Sequence, residues 1–171
     1  MNGKTVYPKR KPNRLKGYNY SQNGLYFLTL CTKDKECILG RIVGGGDLDA
    51  PQMVLSDYGK IVEKYIRSIK NAYSNIELIN YTVMPNHIHL VVMIYSDDNM
   101  FRDTATKTPA NDIIPVMISA LKRFINKETG FNIWQRSYHD HIIRNEKSFD
   151  KIWEYVEDNP ARWKKDCFYC D

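Results

Sequence analysis

The stretch IELINYTVMPNHIHLVVMIY, residues 76–95, reads as two strands around a Met84-Pro85-Asn86 turn. Side chains on a strand alternate between faces. In the second half, Ile88, Leu90, Val92 and Ile94 make an unbroken apolar face that a core would take. His87 and His89 are thereby forced onto the opposite face, side by side, directly after the turn. Working outward, residues 25–31 (LYFLTLC) are rich in β-formers and predict a strand, and residues 37–43 a second, short one stopped by Gly44-Gly45-Gly46-Asp47. Ser56 is a suitable N-cap for a helix to about Tyr73, with Ile61, Val62, Tyr65, Ile66, Ile69 and Tyr73 at three-and-four spacing. Residues 96–110 are polar without apolar period and predict a loop. Ile114, Met117, Ile118, Leu121 and Ile125 mark a second helix ending near Gly130. Residues 133–144 predict mostly extended chain, and Asn145 caps a third helix through Val156 that Pro160 limits. Two β-α-β halves joined by a hairpin describe a ferredoxin-like α+β sandwich with an antiparallel sheet, helices on one face and a further helix at the end.

The chain has 171 residues, 43% hydrophobic, 26% charged and 12% aromatic, which suits one globular domain and excludes a disordered protein. No run approaches the ~18 apolar residues of a membrane span, and the first residues lack the apolar centre of a signal peptide. A cytoplasmic protein without membrane association is expected, with its four cysteines as reduced thiols. The net charge of +5 has a location. Lys4, Lys9, Arg10, Lys11, Arg14 and Lys16 all lie in residues 1–20, which contain no acid, so the rest of the chain carries no positive excess. Interleaved with Tyr7, Tyr18 and Tyr20, this arm suits a polyanion, because phosphate contacts release counterions and aromatic rings stack on unpaired bases. The domain plan is a basic arm over residues 1–24, a domain over 25–160 and a tail over 161–171.

All four histidines fall into two His-x-His pairs, His87-Ile88-His89 and His139-Asp140-His141. Two imidazoles on one strand face can converge on one metal ion. The second pair suits a second metal site, an orienting role or a polar strand edge, and a structural or DNA-contacting role is favoured. Two histidines do not close a metal site, so a third ligand must come from elsewhere. The last helix offers Tyr155 and Asn159, four apart and on one face, with Glu157 and Asp158 as alternatives.

Met84-Pro85-Asn86-His87-Ile88-His89 is similar to the His-hydrophobic-His motif of the HUH single-strand DNA endonucleases. With its flanks, Tyr81-Thr82-Val83 and Leu90-Val91-Val92, it resembles the REP-associated tyrosine transposases, relatives of the small single-tyrosine transposases of bacterial insertion sequences. The resemblance extends to Arg14-Leu15-Lys16-Gly17-Tyr18 with Tyr26-Phe27-Leu28-Thr29, to Trp134-Gln135-Arg136-Ser137-Tyr138, and to Glu154-Tyr155-Val156-Glu157-Asp158-Asn159-Pro160. It covers nearly the whole chain, in the family's order. It implies a HUH transposase-like catalytic domain over residues 25–160, with a ferredoxin-like core and a C-terminal catalytic helix. Tyr155 would be the nucleophile, and His87 and His89 would hold Mg²⁺ or Mn²⁺ with Asn159 completing the set, where related transposases often have glutamine. The implied activity is metal-dependent cleavage and strand transfer of single-stranded, hairpin-containing repeat DNA through a 5′-phosphotyrosine, by a cytoplasmic bacterial protein associated with the nucleoid when bound to DNA. A monomer with Tyr155 acting in cis is favoured over a dimer exchanging its tyrosine helix. Lys9, Arg10, Lys11, Arg14 and Lys16 of the arm, with Lys122, Arg123, Arg136 and Arg144, are the candidate DNA contacts.

Three other readings compete. A ferredoxin-like sheet with exposed aromatics can bind single strands without catalysis. A metal-dependent phosphodiesterase would use water and leave Tyr155 structural. A zinc site on Cys167 and Cys170 with Cys31 and Cys37 has spacing unlike a zinc knuckle.

Overall fold

A computed structural model describes residues 22–45, 50–95 and 113–169. The basic arm, with Lys9, Arg10, Lys11, Arg14 and Lys16, lies outside the described residues, as does the loop expected over 96–110. The elements are β1 (Gly24–Cys31), β2 (Gly40–Val43), β3 (Gln52–Leu55), α1 (Asp57–Ala72), β4 (Ile76–Met84), β5 (His87–Ile94), α2 (Ile113–Thr129), β6 (His139–Ile143) and α3 (Glu146–Asp158). Short 3-10 turns cover Lys33–Lys35 and Trp163–Lys165. No helix among the described residues is long and apolar enough to cross a membrane.

The main sheet has the order β4-β5-β1-β6 with every neighbour antiparallel. This is the α+β ferredoxin-like arrangement. The alternation in β5 sorts the two faces as the sequence predicts. Ile88, Leu90, Val92 and Ile94 join Tyr26, Leu28 and Leu30 of β1 in a core with Val62, Ile66 and Ile69 of α1 and Met117, Ile118, Leu121 and Ile125 of α2. The other face carries Val91 and Ile143, which α3 covers with Val156 and flanking Phe149 and Ile152. Each such side chain contributes about 1.5–3 kcal/mol on burial, so β5, sandwiched on both sides, is the most heavily buried strand of the sheet.

The local signals hold for the helices. The Ser56 hydroxyl caps α1 by accepting from Gly59 N at 3.1 Å, and Asn145 caps α3 through Ser148 N at 2.9 Å. Gly130, at φ 84°, ends α2 in the left-handed conformation glycine tolerates. The strands differ in two places. Gln52–Leu55 forms a separate two-stranded sheet with β2, a short pairing without periodic signal in the sequence. The extended chain over 133–144 pairs regularly only from His139. Before it, Ile133 and Trp134 are buried and bond the loop after β1 instead, with Lys33 N donating to Ile133 O at 2.8 Å and Gln135 N to Cys31 O at 3.0 Å.

One close approach props the turn before His87. Leu39 N donates to Pro85 O at 3.0 Å, while Ser56 N donates to Leu39 O at 2.9 Å. The start of α1 lies so near that a Cβ on Gly59 would sit 2.0 Å from Leu39 O. Helix propensity alone predicts that Gly59→Ala stabilises the chain by about 1 kcal/mol. The backbone clash reverses the sign: we expect a loss of about 2 kcal/mol and a melting temperature roughly 5 °C lower by calorimetry.

Candidate active site

His87 and His89 open β5 and are 0% and 1% exposed. Each ring is held from its Nδ1 side. His87 Nδ1 lies 2.9 Å from Asn86 Oδ1, and His89 Nδ1 lies 2.8 Å from Thr29 Oγ1. The Asn86 amide nitrogen is occupied elsewhere, donating to Lys35 O at 3.2 Å and Phe168 O at 2.8 Å. Its Oδ1 therefore accepts from His87, which places the His87 proton on Nδ1 and leaves Nε2 as a lone pair. The two Nε2 atoms point at one another, 3.0 Å apart. Burial pushes the His87 pKa down to about 4, with a partly opposing pull from Asp166, and pushes that of His89 well below its usual value. Both imidazoles are thus neutral near pH 7, the form that binds metal.

Tyr155 reaches the same place from α3. Its ring meets His89 edge-on at 5.2 Å and Phe27 at 6.1 Å, and its hydroxyl donates to Asp166 Oδ2 at 2.9 Å. Burial first, and the Asp166 hydrogen bond and charge after it, raise the tyrosine pKa well above its ordinary value. Asn159, one turn on and 1% exposed, donates its amide to the same Asp166 oxygen at 3.2 Å. Its own Oδ1 is buried with no hydrogen-bond partner.

Asp166 is the residue sequence reasoning missed. It lies in the tail segment, six residues beyond Pro160, in no periodic pattern. The turn around buried Trp163 brings the chain back, so that a carboxylate oxygen of Asp166 and a ring nitrogen of each histidine all lie within 4.8 Å of one another. Phe168 N donates to Asp166 Oδ1 at 2.7 Å, and the Phe168 ring lies 4.6 Å from that of His87. Glu157 and Asp158, the alternative ligands, are engaged elsewhere: Glu157 accepts from Asn80 Nδ2 at 2.9 Å and Asp158 pairs with Arg162 at 2.8 Å.

The other candidates scatter. Lys122 turns inward, donating to the carbonyls of Gln135 at 2.7 Å and Ser137 at 3.2 Å, and burial lowers its pKa to about 8. Arg123, also on α2, lies over Phe124. Arg136 and Arg144 are exposed on either side of β6. Cys37 is disulfide-bonded, a departure from the reduced set expected, while Cys31 and Cys167 are free thiols. A disulfide takes Cys37 out of any four-cysteine zinc set.

No family model matches the chain. It is 34% identical over 175 residues to an uncharacterized protein of Haemophilus influenzae, covering 95% of this chain and 94% of that one. It is 23% identical over 152 residues to another Haemophilus influenzae protein, assigned as a REP-associated tyrosine transposase, covering 84% of this chain and 74% of the relative. The solved structure of a REP-associated tyrosine transposase bound to a REP hairpin superposes with a TM-score of 0.59 at 18% identity, over 87% of this chain and 74% of that one. Along nearly its whole length the chain is similar to an uncharacterized protein, more distantly it is similar to a REP-associated tyrosine transposase, and it shares the fold of the solved one.

Proposed function

We propose that this chain is a metal-dependent single-stranded DNA endonuclease and strand transferase acting on hairpin-containing repeat DNA through a 5′-phosphotyrosine. The observation that carries the reading is the meeting of His87, His89, Asp166 and the Tyr155 hydroxyl at one buried point. A packing or stacking role for Tyr155 gives no reason to bring its hydroxyl to a carboxylate beside two neutral imidazoles.

The residues fit a divalent ion. Two imidazole nitrogens, a carboxylate and the orphaned Asn159 Oδ1 make a mixed donor set. Asn86 and Thr29 behind the rings supply the outer hydrogen bonds that orient ligating histidines. His87, His89 and Asp166 would hold Mg²⁺ or Mn²⁺, with Asn159 beside them. When bound, the ion supplies charge stabilisation at the scissile phosphate.

The remaining chemistry belongs to the chain. Tyr155 Oη attacks phosphorus, the bond from phosphorus to the 3′ oxygen breaks, and the 5′ end stays on the tyrosine. The hydroxyl proton departs along the hydrogen bond to Asp166, and the leaving 3′ oxygen takes a proton from water. Because a phosphodiester is exchanged rather than hydrolysed, a 3′-hydroxyl on another strand can reverse the step and rejoin DNA. Phe27, stacked on His89 at 4.9 Å, and Phe168 keep water from the rings. The same reading takes Tyr155 to act in cis, since α3 lays its ring against His89 of the same chain.

Incubation with labelled hairpin DNA and Mn²⁺ is expected to give a covalent band on a denaturing gel, absent with EDTA. Tyr155→Phe should lower the band by roughly 10³-fold or more while hairpin binding persists. Binding without an adduct across several hairpins would instead make the chain a binding module, and cleavage surviving in Tyr155→Phe would make water the nucleophile. Asp166→Asn should weaken Mn²⁺ binding by about 10- to 100-fold in calorimetric titration. Unchanged affinity would remove Asp166 from the ligand set.

A further inference from the structure

The second histidine pair, His139 and His141, is absorbed by none of this chemistry. Antiparallel register fixes where it lies. His89 on β5 is opposite Thr29 on β1, and Thr29 is opposite His139 on β6. In the next row Val91 is opposite Phe27, and Phe27 is opposite His141. Directly opposed residues share a face, so both imidazoles stand on the sheet face that holds His87, His89 and Tyr155. Two interstrand spacings put His139 about 10 Å from His89. Asp140 between them points to the other face, opposite Leu28, and does not pair with either ring from this one.

The surroundings of the centre are closed on two sides. Towards β4 the face is covered by α3, with Val156 buried on it and Glu157 bonded to Asn80. Towards the turn, Trp163 and Phe168 stand over His87. Among the described residues β6 is the edge strand of the sheet, and His139 and His141 are both exposed there. Thr29 and Phe27, which touch His89, are the steps between the centre and that pair. Beyond the buried Thr29, the row opens to solvent among the described residues at His139 and His141.

Resting on the function proposed above, we propose that His139 and His141 form the bed for the unpaired DNA segment adjoining the cleaved phosphate, donating ring N–H bonds to its phosphodiester oxygens. The pair lies outside the metal centre and touches no reacting atom, so its role is positioning. Imidazole serves here because it offers a directed donor at a sheet edge without a long flexible stem, so little side-chain entropy is lost on binding.

The test uses the full chain in EDTA, where no cleavage occurs, and two labelled DNAs: a hairpin with an unpaired flank and the same stem cut blunt. Fluorescence anisotropy is expected to show His139→Ala/His141→Ala binding the flanked hairpin about tenfold more weakly than the unsubstituted chain, from two lost hydrogen bonds, and the blunt hairpin equally well. The double glutamine variant, which keeps an N–H donor, should recover most of that loss. Both rings are exposed, so unchanged melting curves confirm folding. Alanine variants that bind the flanked DNA normally, or that weaken both DNAs alike, overturn the assignment. Histidine-dependent uptake of Zn²⁺ with unchanged DNA affinity also overturns it, in favour of a second metal site. If the unsubstituted chain binds neither DNA, the functional reading itself fails and takes this inference with it. Flank-dependent binding that survives both substitutions leaves that reading intact and removes only the histidine bed.

Discussion

A single buried carboxamide ties the structure together. Asn86 is fully buried, and its side chain bonds the loop after β1 through Lys35 O, the returning tail through Phe168 O, and the ring of His87. Its backbone carbonyl accepts from both Thr32 N at 2.8 Å and Thr32 Oγ1 at 2.9 Å. An unpaired amide at this depth would cost about 1–3 kcal/mol per group, so all three segments are drawn to it together. The tautomer of His87, the place of the tail and the turn into β5 follow from one side chain's need for partners.

The same desolvation sets the electrostatics. Water is excluded by α3 on one side and by Trp163 and Phe168 on the other, so neutral forms are favoured for the histidines and for Tyr155. Asp166 is the one charge among them, and it enters already bonded by Tyr155, Asn159 and Phe168 N. A site with two neutral nitrogens and one carboxylate has a place for a cation and none for a second anion until that cation arrives. On the proposed function, metal affinity and DNA affinity at the scissile phosphate would be coupled for this reason.

Much of this was legible beforehand. The helix caps Ser56 and Asn145, the three helices, and the four strands of the main sheet follow from local pattern, because each has enough residues for its period to show. The β2–β3 pairing was not, since four-residue strands have hardly any period. The long extended segment before β6 was overread: Ile133 and Trp134 are apolar because they fill the core from a loop, and apolarity without alternation does not distinguish loop from strand.

The candidate centre divides along the same line. Local pattern is enough to put His87 and His89 on one face, because an apolar alternation on the other side leaves them no alternative, and to put Tyr155 and Asn159 on one side of a helix. Long-range packing sets the rest: α3 lies across the histidine face, Asp166 rather than Glu157 or Asp158 meets the pair, and His139 stands in line with His89. These are contacts between segments far apart in the chain. They depend on strand register and on where a turn after Pro160 sends the tail, and neither leaves a local trace that periodicity can read.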